Sequence, residues 1–190
     1  MSGRNSFDTL RVGMSQAQKE AVARKVKAMT SLDIAIEAPW PPATDWADLA
    51  LAASEAASTV APELANQRLT ASLLFTSDSE VQTLNREWRA KDKPTNVLSF
   101  SMLERDDLLA LAPDGPPEML GDIAIAFETC NREADEKGVS VEHHTAHLIV
   151  HGLLHLAGYD HEQSPAAATE MEALEIKALA SMGIADPYCD

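Results

Sequence analysis

Cysteine is scarce in this chain of 190 residues: Cys130 and Cys189 are its only two, and they lie far apart. That excludes a disulfide framework and points to a reducing compartment, so the chain is expected to be cytoplasmic. Long apolar runs are missing as well. No stretch approaches the roughly 18 residues of a membrane span, and no apolar signal core follows Met1, so no membrane partner is expected. Ten prolines and eight glycines are too few for a fibrous or low-complexity protein. Basic residues are few: 15 Lys and Arg stand against 30 Asp and Glu, a net charge of −15. Such a chain repels bulk nucleic acid, so a nucleic-acid partner needs a local basic patch. What remains is ordinary, with 45% hydrophobic and 24% charged residues, enough to bury the core of one domain.

The few cations are unevenly spread. Residues 1–31 carry six basic side chains against Asp8 and Glu20, and include one amphipathic stretch, Ser15 to Met29, with a capping-box start. They are expected to be an N-terminal extension, either disordered or a start-site artefact, with Met14 and Met29 as alternative starts. The remaining chain has nine basic residues, and five of them (Arg68, Arg86, Arg89, Lys91, Lys93) fall in one cluster. Charge alone reads that cluster as a solvated helix face.

From residue 32 onward the pattern is that of a mixed α/β domain. Alternation predicts strands at 32–37, 69–75 and 123–127, and a short apolar run predicts another at 97–100. Helices are expected from Thr44 or Asp45 to about Val60, from Ser77 or Asp78 through Trp88, at about 128–137 and 141–157, and at about 163–182. Residues 103–119, with Pro113, Gly115, Pro116 and Pro117, read as a loop. The expected architecture is a small four-stranded mixed sheet packed with about five or six helices.

All six histidines lie between 143 and 161. His151 and His155, four apart on a predicted helix, share one face and can converge on one zinc ion. Gly158 permits a turn with φ > 0 at the helix end, which brings His161 back as a third nitrogen ligand. A chance match of three histidines at these offsets has a probability of only about 0.006 over the whole chain. No fourth protein ligand is evident, and three nitrogens with an open position indicate catalytic rather than structural zinc. Such an ion lowers the pKa of bound water to about 7, so hydrolysis is the natural reaction class. His143 and His144 are expected to be solvated near the helix start. His147, one turn before His151, either orders the site or simply packs. Metzincin peptidases share the histidine spacing, but a Glu follows their first histidine as general base, and Gly152 stands there in this chain. Arg89 reads either as a helix-end cation or as a clamp for a phosphate.

The run from His151 to His161, HGLLHLAGYDH, resembles the YbeY endoribonuclease family of zinc-dependent RNases. The stretch from Leu84 to Phe100, LNREWRAKDKPTNVLSF, is similar to a second block of that family, as are Leu120–Ile123 and the closing Asp186-Pro187-Tyr188. The resemblance spans about Leu32 to Tyr188. It implies a metzincin-like α+β core over residues 32–190, forming a single metallo-endoribonuclease domain. It also implies one zinc ion held by His151, His155 and His161, with Arg89 as a functional arginine and no nucleotide cofactor. The activity it implies is single-strand-specific cleavage of RNA in ribosomal RNA processing, namely late-stage 70S quality control and 16S 3′ end maturation. Ribosomal proteins or assembly factors are then possible partners. Lys91 and Lys93 are backbone-contact candidates or solvated loop lysines. Asp92 and Pro94–Thr95 are expected to shape the turn rather than touch substrate, Asp122 to be structural rather than to line the cleft, and Asp160 either orients a ligand or serves as base. Two other readings stand beside this one: a zinc-containing assembly factor with little cleavage of its own, and a metallopeptidase.

Overall fold

The computed structural model describes residues Thr30–Cys189, so the amphipathic stretch Ser15–Met29 lies outside the described residues. The chain orders as β1 (Ser31–Ile36), α1 (Trp46–Val60), a 3-10 turn (Pro62–Ala65), β2 (Leu69–Thr76), α2 (Asp78–Arg89) and β3 (Val97–Ser101). It continues through α3 (Arg105–Leu109), β4 (Glu118–Ala126), α4 (Phe127–Lys137), α5 (Val141–Leu156) and α6 (Pro165–Ser181). The sheet order is β1-β2-β4-β3. β1, β2 and β4 run parallel, and β3 pairs antiparallel with β4 at the edge. This is the four-stranded mixed sheet expected from the sequence.

Strand alternation divides the core between the two faces. Leu73, Phe75, Ile123 and Ile125 point to one side, where they join Ile149, Leu153 and Leu154 of α5 and residues of α1 and α6. Leu98, Ala124 and Ala126 point to the other side and meet Val81 of α2. Each fully buried Leu or Ile contributes about 1.5–3 kcal/mol, so α5 is anchored by burial along most of its length. That anchorage makes it a rigid platform for the histidines it carries.

Caps follow the sequence closely. The side chains of Asp45, Ser77, Ser140 and Ser164 each accept a hydrogen bond from a backbone N–H in the first turn of their helix. Two boundaries differ from expectation. The segment 103–119 contains the short helix α3, whose Leu108 is buried. β4 starts at Glu118, well before residue 123. The register against β2 shifts between Thr70 and Ala71, and this bulge hides the alternation upstream of Ile123. Gly121 sits there with φ +153°, and a Cβ on it would lie 2.3 Å from the Phe100 carbonyl oxygen. Only glycine fits that approach.

Candidate metal centre and cleft

α5 presents His151 and His155 one turn apart, with Nε2 atoms 3.1 Å from each other. The helix then stops as the sequence requires. Gly158 takes φ +85° and its N–H donates to the His155 carbonyl at 2.9 Å. The chain turns back and sets the His161 ring 5.3 Å from that of His151 and 5.0 Å from that of His155. One nitrogen from each of the three lies within 4.8 Å of the others, and among the described residues this is the one such metal-ligating cluster. Tetrahedral zinc with bonds of 2.0–2.1 Å sets its ligand nitrogens about 3.4 Å apart. The His151–His155 spacing already matches, and the nitrogen of the exposed His161 lies within 4.8 Å of both.

The donor chemistry also fits a cation. Burial, reinforced by the neighbouring His151 and His161, pushes the His155 pKa down to about 4. The ring is therefore neutral near pH 7, as a metal ligand must be. His151 Nδ1 lies 2.8 Å from Glu175 Oε1 on α6. An ionised Glu175 places the proton on Nδ1 and leaves the Nε2 lone pair facing His155.

Glu175 is the residue that sequence reasoning missed. Its carboxylate is 1% exposed and serves three partners. Besides His151, Oε2 accepts from His147 Nε2 at 2.7 Å and from the Tyr188 hydroxyl. Burial raises the Glu175 pKa, but the hydrogen bonds from His147, His151 and Tyr188 outweigh it and hold the acid at about 2. His147 is thus linked to His151 through a shared carboxylate. The only signal in the sequence was a Glu in a helix already rich in Glu.

The three histidines open onto a cleft of about 630 Å³. Arg89, at the end of α2, lines the same cleft, together with Ser99 and Ser101 of β3. Arg89 is both a helix-end cation and a cleft cation, since Ala90 caps α2 in the left-handed conformation and turns the chain there. Asp160 also lines the cleft, with Oδ1 accepting from the Glu162 N–H at 2.9 Å. Lys91 and Lys93 are exposed, and Asp92 is tied to Gln82 and Arg86. Asp122 sits half-buried on β4, in register with Phe100.

Arg105 fixes the loop that carries His161. Its Nη1 donates to the Ala157 carbonyl at 2.6 Å and to Glu63 at 3.3 Å, and its guanidinium lies 4.2 Å from the Tyr159 ring centroid.

Two expectations need correction. His144 is not solvated: it is 3% exposed and bonds Glu133 at 2.8 Å, because the start of α5 is covered by α4. Arg68 does not belong to the cationic cluster. Its guanidinium turns away and holds the carbonyls of Ala112 and Pro116.

A family model described as Endoribonuclease YbeY matches residues 42–183. The chain belongs to the YbeY family. The Endoribonuclease YbeY of Erythrobacter litoralis is 64% identical over 159 residues, covering 84% of this chain and 98% of that protein. The one from Novosphingobium aromaticivorans is 61% identical, covering 83% of this chain and 95% of that protein. A solution structure of a Thermotoga maritima protein aligns with a TM-score of 0.53 at 22% identity, over 80% of this chain and 91% of that one, a likeness of fold. These relatives carry the name of an endoribonuclease.

Proposed function

We propose that the chain is a metal-dependent endoribonuclease that hydrolyses phosphodiester bonds of single-stranded RNA. His151, His155 and His161 hold one zinc ion, and Arg89 binds the reacting phosphate. The observation that carries this reading is a cation at the end of α2 that lines the same cleft as three converged imidazoles. When bound, zinc supplies a Lewis acid that lowers the pKa of water and polarises a phosphate oxygen. The remaining work falls to the protein. The Arg89 guanidinium grips two phosphate oxygens and stabilises charge growing on them. Glu175 keeps the His151 ring in one tautomer, and Arg105 holds the Ala157–His161 turn in place.

Family membership supports a role in ribosomal RNA processing, including 70S quality control and maturation of the 16S 3′ end. It also supports work in the cytoplasm beside ribosomal proteins or assembly factors, with residues 32–190 as the single catalytic domain. No helix among the described residues is long and apolar enough to cross a membrane.

The peptidase reading meets a steric obstacle. A Cβ at position 152 would lie 3.0 Å from Ile123 Cδ1, so a glutamate in the place where a peptidase carries its base would need the Ile123 side chain to shift by a few tenths of an ångström. The test compares wild type with Arg89→Ala on a labelled single-stranded RNA and maps the product ends. Internal cleavage by wild type, lost in the variant at equal zinc content, supports the reading. Equal cleavage by both removes Arg89 from the mechanism. Unchanged RNA with both proteins shifts the function to an assembly factor with little cleavage of its own.

A further inference from the structure

Trp88 is the most exposed large hydrophobic side chain among the described residues, at 73%. The chain's other tryptophans, Trp40 and Trp46, are buried at 5% and 1%. Trp88 is held at the last turn of α2, directly before Arg89, and packs into neither core cluster. Its one ring partner is Phe100, at 6.3 Å between centroids and tilted by 58°. Phe100 stands on the edge strand β3, between Ser99 and Ser101, and both serines line the cleft. The indole therefore sits just over the rim of the sheet from the cleft that holds Arg89.

Its surroundings are cationic in an otherwise acidic protein. Between residues 86 and 93, four exposed cations (Arg86, Arg89, Lys91, Lys93) stand against two carboxylates, Glu87 and Asp92. Asp92 is partly neutralised by Arg86 at 3.6 Å. An exposed aromatic face among cations, one of which (Arg89) lines the cleft, is the arrangement that takes a single strand. The cations attract the phosphates, and the ring stacks a base whatever its identity.

We propose that Trp88, backed by Phe100, is a stacking platform for an unpaired base of the RNA strand that flanks the phosphate held by Arg89. The proposal rests on the endoribonuclease reading and gives the strand its path: out of the cleft, over the β3 edge and onto the face of α2. It also supplies a physical reason for single-strand preference, because a paired base cannot leave its stack to lie on the indole.

The full chain, loaded with zinc, is titrated with a 12-nucleotide single-stranded RNA whose phosphorothioate backbone resists cleavage, and with the same sequence as a duplex. Binding is read by anisotropy of a labelled RNA and by quenching of tryptophan emission. Single-stranded RNA is expected to quench the exposed Trp88 and the duplex to leave it unchanged. Trp88→Ala is expected to weaken single-strand binding about tenfold or more, with Trp88→Phe restoring most of it. The slope of log affinity against log salt stays unchanged in Trp88→Ala, since no phosphate contact is removed, whereas Arg89→Ala lowers it by about 1. A merely structural indole would instead lower the melting temperature without altering affinity. Wild-type binding equalled by Trp88→Ala, without quenching, overturns this proposal and leaves the nuclease reading standing. Absence of any RNA binding or cleavage by the wild-type protein overturns both.

Discussion

Glu175 Oε1 lies 2.8 Å from His151 Nδ1, and the same carboxylate binds His147 through its second oxygen. One buried acid on α6 thereby orients the imidazole on α5 that heads the candidate metal centre. Replacing it with the isosteric amide keeps the volume and removes the charge. Glu175→Gln is expected to weaken zinc affinity about 10- to 100-fold, measured by competition with a chelating dye. An unchanged affinity shows that the carboxylate only packs. Glu175→Ala leaves two imidazoles and a phenol without their acceptor, and is expected to destabilise the fold by about 3 kcal/mol in urea denaturation.

Arg105 and Gly158 test the loop. Arg105→Ala frees the Ala157 carbonyl, and is expected to cost about 1–2 kcal/mol and to reduce zinc affinity by loosening His161. In Gly158→Ala, the new Cβ would sit 2.8 Å from Arg105 Cβ at a φ of +85°. That strain is expected to cost about 1–3 kcal/mol, with a larger loss of zinc affinity than Arg105→Ala produces. Melting curves and zinc titrations on the same samples separate the two effects.

His144 gives the protein a pH-dependent stability. Burial lowers its pKa from the ordinary 6.5, against the opposing pull of Glu133. As pH falls through about 6.5, the unfolded chain takes the proton first, so the native state loses stability. Denaturation in urea is expected to show a smaller free energy of unfolding at pH 5.5 than at pH 7.5, with a smaller difference in His144→Gln. Equal pH dependence in the two proteins contradicts that assignment.

Cysteine reactivity is expected to differ sharply between the two thiols. Burial pushes Cys130 up to about 11, and it is fully enclosed beside Thr145, whereas Cys189 is exposed. A thiol reagent at pH 8 is expected to label one site per native chain and two after denaturation. Two fast sites in the native protein would contradict the burial of Cys130.

The three histidines were legible in the sequence because helical spacing and one glycine determine where they go. Local rules carried that far: His151 and His155 needed only the period of α5, and His161 only the turn at Gly158. Glu175 was not legible, because it reaches the site through the packing of α6 on α5, and no local pattern distinguishes it from the acids around it. Arg68 shows the reverse error. It falls in the same basic stretch as Arg86, yet it stands just before β2, where its guanidinium meets the carbonyls of the 112–116 loop. His144 looked like a solvated cap neighbour until α4 covered it. The strands were read well where alternation was clean, and β4 was read short because the bulge at Gly121 breaks its period.

The proposed nuclease needs a metal held by His151, His155 and His161 to cut RNA. The most direct measurement incubates the metal-stripped full chain with labelled single-stranded RNA, with and without one equivalent of zinc. No cleavage is expected without the metal, internal cleavage on its return, and no rescue in His155→Ala. Equal cleavage with and without zinc, or intact RNA in the presence of a folded, zinc-loaded protein, would contradict the proposal.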